Sequence, residues 1–265
     1  IGEVNIPENA LWGPQTQRSI ENFKIGESAS MPIEVIYAYA ILKKSCALAN
    51  YKFNILEKDK SDLIVSVCNE ILDGQHDKEF PLVIWQTGSG TQTNMNINEV
   101  ISNRVNLISG KTLTDEKIIK ANDHVNMSQS SNDSFPTAIN IAVTKILIEK
   151  TIPSLENILK TLHKKIEEFK NVVKIGRTHL MDATPLTLSQ EFSGYESQIK
   201  HGLKALENTL DHIKELAIGG TAVGTGLNTP SGFDKETVKK INNIADTLFE
   251  GIVSHTRYKP FTHSF

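Results

Sequence analysis

Three stretches of this chain gather the side chains from which a site for a small polar anion can be built. Residues 87–99 read Thr-Gly-Ser-Gly-Thr-Gln-Thr-Asn-Met-Asn-Ile-Asn-Glu, and residues 126–137 read Asn-Met-Ser-Gln-Ser-Ser-Asn-Asp-Ser-Phe-Pro-Thr. Residues 176–191 read Gly-Arg-Thr-His-Leu-Met-Asp-Ala-Thr-Pro-Leu-Thr-Leu-Ser-Gln-Glu. All three are dense in hydroxyls and amides and nearly free of Lys and Arg, so they can wrap an anion in neutral donors. In the first, a glycine turn presents Ser89 and Thr91 beside the expected start of a helix, where free N–H groups and the helix dipole favour a carboxylate. In the second, Ser130, Ser131 and Asn132 precede a proline-started helix, and three consecutive donors exceed what an N-cap needs. The third places His179 at the mouth of a long helix among Arg177, Thr178, Asp182, Thr184, Gln190 and Glu191. Such neighbours can hold an imidazole in one tautomer for proton transfer near neutral pH. Each block also has a plainer use (a glycine turn, an N-cap, a packed histidine), and none decides the matter alone.

Other chemistries fit less well. Gly88-Ser-Gly90 resembles a dinucleotide fingerprint, but Thr93 stands where the third glycine belongs and no strand-helix-strand unit follows. A Gly-Lys-Ser/Thr phosphate loop is absent. The eight histidines show no metal-ligand spacing, so no metal site and no cofactor is expected. A net charge of -3 and a pI near 6.3 give no electrostatic case for nucleic acid or an acidic membrane surface. No window approaches the ~18 consecutive apolar residues that span a bilayer. Cys46 and Cys68 are the two cysteines, both in apolar helical patterns, which reads as buried, reduced thiols in a reducing compartment. The chain opens Ile-Gly-Glu-Val-Asn-Ile-Pro, which is neither a signal nor a transit peptide. A cytoplasmic location is expected, or the mitochondrial matrix after removal of a leader.

The elements that must position these blocks read as helices. Pro32 starts a pattern with Ile33, Ile36, Tyr37, Ala40 and Ile41 on one face. Others are expected at 61–72 before Gly74, and at 94–109 before Gly110. A further helix should begin at Pro136 behind an Asp133 or Ser134 cap, and another at Pro153. The longest pattern, Leu188, Phe192, Tyr195, Ile199, Leu203, Leu206, Leu210 and Ile213, predicts a helix of about 40 Å, and helices of that length need partners along their length. A last helix is expected at 234–249. Phe80 to Trp85 is the one short apolar run that suggests a strand. The architecture is mainly α: a mixed, helical N-terminal domain over 1–125 followed by a long-helix bundle over 126–265.

Taken together, the motifs resemble class II fumarase, within the fumarase/aspartase superfamily. The resemblance is carried by residues 87–100, by Asn-Asp-His-Val-Asn at 122–126 and Ser-Gln-Ser-Ser-Asn-Asp at 128–133. Gly-Arg-Thr-His-Leu at 176–180, Gly-Gly-Thr-Ala-Val-Gly-Thr-Gly-Leu-Asn at 219–228 and the opening Leu-Trp-Gly-Pro-Gln-Thr-Gln-Arg-Ser at 11–19 complete it. It implies reversible interconversion of (S)-malate and fumarate without a cofactor. Ser89, Thr91, Ser130, Ser131, Asn132 and Thr178 would bind the substrate carboxylates, and His179 would handle the water proton. A homotetramer would assemble each site from three subunits. Lys117, Lys120, Asn122 and Asp123 match a secondary carboxylate site, with lysines where close relatives often carry Arg and His. Aspartate ammonia-lyase is the alternative, disfavoured because aspartases tend to carry Gln at the position of His179 and Ser-Thr at Ser130-Ser131.

Departures from the family pattern are concentrated at the end. The Gly-Ser-Ser loop whose serine takes the C3 proton, the Lys and Asn after it, and the glutamate supporting the histidine have no match. Residues 251–265 do not match the helix expected there. The bundle is therefore expected to be incomplete, with the stripe of the 188–213 helix exposed. A second alternative follows, a catalytically dead, truncated helical remnant or scaffold that still binds dicarboxylates.

Overall fold

Helix α2 (Ile33–Lys52) is apolar on nearly every side, with Ile36, Tyr39, Leu42, Cys46 and Ala49 among its buried residues. A helix without a polar face must be covered all round. In the computed structural model, which describes residues 2–251, that cover comes from α3 (Lys58–Leu72), α4 (Thr91–Ile108) and α8 (Phe233–Ala245), all packed on α2. Because α8 returns from the far end of the described chain, this unit comprises residues 2–142 and 214–251. A second unit, 143–213, holds α6 (Ile152–Glu168), a β-hairpin and α7 (Leu188–Ile213). The mainly α fold is as the periodicities predict, and Cys46 and Cys68 are buried free thiols.

The short helix α1 (Pro14–Asn22) has no periodicity that announces it. Its start is held by the buried Glu99 carboxylate, which accepts from the backbone N–H of Gly13 (2.9 Å), Gln15 (2.8 Å) and Thr16 (3.1 Å) and from the Thr16 hydroxyl (2.7 Å). The carboxylate thus satisfies the orphan donors of a helix N-terminus from a residue more than eighty positions away.

Two expectations need correction. The segment 80–85 forms no strand and bends at Ile84 and Trp85. Its Pro81 and Leu82 carbonyls accept from the N–H groups of Ala29 (2.9 Å) and Met31 (3.3 Å), while Trp85 is exposed. Helix α5 (Ser131–Ile146) starts five residues before Pro136, which lies inside it. The Ser130 hydroxyl accepts from Asn132 N–H (3.2 Å) and the Asp133 carboxylate from Ser130 N–H (2.9 Å), a reciprocal cap that fixes the start there. A π-helical turn (Leu147–Thr151) then joins α5 to α6.

The strands are elsewhere. β1 (Val173–Thr178) and β2 (Met181–Thr187) pair antiparallel around a two-residue turn. β3 (Glu215–Leu216) and β4 (Glu250–Gly251) form a short parallel pair. No side chain of α6 or α7 is buried. Phe169 and Phe192 meet edge to face at 5.5 Å, yet Ile158 and Tyr195 on these helices remain 45% exposed.

Gly90, just before α4, has φ of +67°. A Cβ there would stand 2.1 Å from Cγ of Phe135, whose ring stacks on Tyr39. Gly88, two residues earlier, has open space around it. Gly90→Ala is expected to lower unfolding stability by about 2–4 kcal/mol through strain and overpacking. Gly88→Ala should change it by no more than about 1 kcal/mol. Urea unfolding midpoints of the two variants check this, and equal midpoints would mean that the turn tolerates rearrangement.

Candidate functional site

Two helix N-termini meet at one cleft of about 590 Å³ in the first unit. Helix α4 brings Thr91, Asn94 and Met95, and the start of α5 brings Ser130 and Ser131. The turn at 121–125 adds Asn122 and Asp123, residues 126–129 line the floor, and the loop after β3 closes one side with Thr221, Ala222, Leu227 and Asn228. Both helices direct their positive ends and first-turn N–H groups toward this space, which favours an anion.

Backbone strain concentrates here as well. Ser128 (φ 63°), Thr221 (φ 57°) and Asn228 (φ 66°) are non-glycine residues in the left-handed region, and all three line the cleft. Such conformations persist where surrounding contacts over-determine them. For Thr221 the contact is Asp133. That buried carboxylate accepts from Ser130 N–H (2.9 Å), Gly219 N–H (3.1 Å) and Thr221 N–H (2.9 Å), joining the α5 start to the return loop. The Asn132 side chain adds a second tie, donating to the Ala222 carbonyl at 2.8 Å. Burial pushes the Asp133 carboxyl up to about 6, against the pull of those three N–H donors and of Lys43.

Beneath the cleft lies a buried polar cluster. The Lys43 ammonium, fully buried in α2, donates to Asn94 Oδ1 (2.7 Å), Asn126 Oδ1 (2.9 Å) and Gln129 Oε1 (2.9 Å). Asn94 Nδ2 donates onward to Asn126 Oδ1 (3.0 Å) and to Ser131 Oγ (3.1 Å). Desolvation brings the Lys43 ammonium down to about 8.

The structure gathers Thr91, Ser130 and Ser131 with Asn122 and Asp123 along this cleft. Ser89 Oγ lies 3.0 Å from Thr91 Oγ1. Of the expected secondary set, Lys120 Nζ sits 3.9 Å from Asp123 Oδ2, whereas the Lys117 ammonium donates to the Leu113 carbonyl. Burial lowers the Lys117 pKa. Sequence reading missed Lys43, Asn94, Asn126, Gln129, Thr221 and Asn228 as members. The asparagine density of 94–98 was a signal, but helical periodicity absorbed it.

Thr178 and His179 belong to the second unit. His179 is not at the mouth of a helix: with Leu180 it forms the tip of the β1–β2 hairpin, at φ of 48° and 62°. Positive φ at both central residues is the geometry of a tight hairpin turn, which usually takes Asn-Gly. Leu180 is fully exposed there. Gly176 lies at a register shift in β1, where a Cβ would stand 2.4 Å from the Thr184 carbonyl oxygen. Arg177 and Asp182 face each other across the strands near the tip, with Nε and Oδ1 3.6 Å apart. Gln190 and Glu191, read as neighbours of His179, lie beyond the hairpin base, roughly 20 Å away at ~3.3 Å per strand residue. Gln190 Oε1 accepts from Thr187 N–H (2.8 Å) and Thr187 Oγ1 from Gln190 N–H (3.1 Å), a reciprocal cap for α7. Glu191 pairs with Lys174 and accepts from the Tyr195 hydroxyl. Among the described residues no cluster of His, Cys, Asp or Glu could hold a metal ion, and no helix is long and apolar enough to cross a membrane.

Asp133 has a measurable signature. Folded, its carboxyl keeps its proton up to about pH 6, whereas 3.8 is its ordinary value, so the folded state binds more protons between those values. The stability this group contributes is therefore complete below the lower value and lost as pH rises through the upper one. Against Asp133→Asn, the wild-type advantage in unfolding free energy should shrink by about 2 kcal/mol from pH 4 to pH 7. An advantage that grows with pH in paired urea titrations would show that the carboxylate is held ionised instead.

A family model described as Lyase matches residues 2–260. The chain is 55% identical over 262 residues to class II fumarate hydratase of Haemophilus influenzae, covering 96% of this chain and 56% of that protein. It is 51% identical over 249 residues to that of Helicobacter pylori, covering 94% and 54%. It thus spans about half the length of the curated relatives it matches. Among solved structures, class II fumarase from Schistosoma mansoni superposes with a TM-score of 0.87 at 44% identity, covering 98% of this chain and 54% of that one. A fumarate lyase:delta crystallin from Brucella melitensis bound to cobalt gives 0.87 at 35% identity, covering 94% and 54%. Matched across nearly its whole length, the chain belongs to the lyase family, and the relatives named here are class II fumarate hydratases and fumarate lyases.

Proposed function

We propose that this chain belongs to a fumarate hydratase, which interconverts fumarate and (S)-malate in the tricarboxylic acid cycle of the cytoplasm or the mitochondrial matrix. The observation that carries the reading is the cleft where two helix N-termini meet with Thr91, Ser130 and Ser131 on its wall. Neutral donors on two helix ends suit a small dicarboxylate. The 55% identity to fumarate hydratases supports the choice of reaction.

In this reading Ser89, Thr91, Ser130, Ser131, Asn132 and Thr178 hold the carboxylates. His179, exposed on a rigid hairpin tip, passes a proton to the C2 hydroxyl as water leaves malate, and takes it back in the reverse direction. The C3 proton goes to the serine of the Gly-Ser-Ser loop, a triplet that does not occur in residues 1–265. The charge that builds on the adjacent carboxylate is stabilised by preorganised donors. Lys117, Lys120, Asn122 and Asp123 form a secondary carboxylate site. Domains divide near 125, and copies of the chain associate as a tetramer that completes each site from three subunits. The uncovered apolar stripes of α6 and α7 support such association. The reading requires no cofactor, metal, nucleic acid or membrane. A second reading is a helical protein that binds dicarboxylates at this cleft without turnover.

The test adds (S)-malate to the protein and follows the ultraviolet absorbance of fumarate, with calorimetric titration of fumarate alongside. Fumarate formation that falls by about 100-fold or more in His179→Asn, with fumarate affinity nearly unchanged, is the expected result. Fumarate and ammonia released from aspartate would replace the hydratase with an ammonia-lyase. Binding of fumarate without turnover of either substrate would establish the second reading.

A further inference from the structure

We infer that Lys43 is a positioning residue that sets the direction of a buried hydrogen-bond relay, so that Ser131 offers its hydroxyl proton to an anion in the cleft. Lys43 does not itself line the cleft and has no role in the reading above, but its three partners do line it, and an ammonium fully buried in the central helix is costly unless its donors are all met. Its three proton donors meet three oxygens, Asn94 Oδ1, Asn126 Oδ1 and Gln129 Oε1, at 2.7, 2.9 and 2.9 Å. All three partners are neutral amides.

The consequence follows from donor and acceptor arithmetic. An ammonium has no acceptor, so each facing amide must turn its oxygen inward and its NH2 outward. With its oxygen held, Asn94 has only donors left to present, and these reach Asn126 Oδ1 (3.0 Å) and Ser131 Oγ (3.1 Å). Ser131 Oγ therefore accepts from inside the protein, and its own O–H is directed away, toward the cleft it lines. Ser130 is set the same way, its oxygen accepting from Asn132 N–H at 3.2 Å. Hydrogen bonds in such a chain polarise one another, and the first donor here carries a full charge. Without Lys43 only the longer bond from the Ser134 hydroxyl (3.3 Å) holds the Asn94 oxygen inward, and the amide can flip. Its oxygen would then face Ser131, which would turn its proton inward and present an oxygen to the anion.

The test rests in one arm on the fumarase reading and in the other does not. Lys43→Met removes charge and donors at similar length, and Ser131→Ala removes the end of the relay. In calorimetry, Lys43→Met should weaken fumarate binding by about tenfold when Ser131 is present, and by less than about twofold in the Ser131→Ala background. Equal losses in both backgrounds would overturn the relay. The second arm reads the side-chain amide resonances of Asn94, Asn126 and Gln129 by 15N NMR without ligand. One sharp, slowly exchanging set in the wild type, and averaged or doubled sets in Lys43→Met, are expected. Unchanged resonances would overturn the inference even if fumarate binds. A wild type that binds no fumarate but shows the expected amide change would sink the fumarase reading and leave the relay standing. Should Lys43→Met not fold, the NMR arm uses the wild type across pH 7 to 9. Lys43 loses its charge there, while Asp133, at about 6, and Cys68, at about 12, keep their states. Tyr39 and Cys46, raised by burial, also keep theirs. Amide resonances that do not move over that range would again overturn it.

Discussion

The Asp133 carboxylate is the contact on which the first unit's site depends. It stands at the third position of α5 and accepts from three backbone N–H groups on two separate segments. One bond fixes where α5 begins, which places Ser130 and Ser131 at the cleft. The other two hold residues 219–221, including the left-handed Thr221, as the opposite wall. An uncompensated carboxylate in that place would cost several kcal/mol. Three N–H donors and the nearby Lys43 charge compensate it only in part, which is why burial still raises its pKa. The cleft is therefore built over an electrostatically stressed core rather than a purely apolar one. Apolar packing from α3, α4 and α8 around α2 supplies the stability that keeps this stress in place.

The hairpin solves a different problem with a different device. In the proposed reading His179 handles a proton in the open, a task that needs a steady support and little shielding. The tight turn, the register shift at Gly176 and the facing Arg177 and Asp182 shape the tip that carries it. The left-handed conformation of Leu180 is the strained element. A leucine there makes no local contact that would repay the strain, as its full exposure shows. Backbone strain of this kind clusters at functional sites.

How much of this the sequence disclosed follows from the range of the interactions. The long helices α6 and α7 and the last helix α8 announce themselves because their apolar residues repeat every three or four positions, and the burial of Cys46 and Cys68 follows from the apolar helical patterns around them. Helix α1 was silent because Glu99, which holds its start, is distant in the chain. The α5 start was misplaced by giving Pro136 the weight of a first-turn residue when the Ser130-x-x-Asp133 reciprocal cap had the stronger claim. Likewise, Thr187-x-x-Gln190 spells the cap of α7, and reading it so would have removed Gln190 from the surroundings of His179. Ser-, Thr- and Asn-rich blocks marked the cleft, and Thr91, Ser130 and Ser131 do line it. Lys43 gave no local sign, since one lysine in an apolar helix is indistinguishable by pattern from a solvated one.

The placement of charge under the cleft has a physical logic. A guanidinium or ammonium in direct contact with an anion interacts at about 4 kcal/mol in a partly desolvated setting, with little dependence on direction. Hydroxyls and helix N-termini contribute only about 0.5–1.5 kcal/mol each, but their direction is specific. Setting the cation one amide behind the wall lets its charge orient the donors without meeting the anion. In the proposed reading, the amide layer between Lys43 and the cleft keeps a hydroxyl oriented where a direct contact would place an isotropic charge.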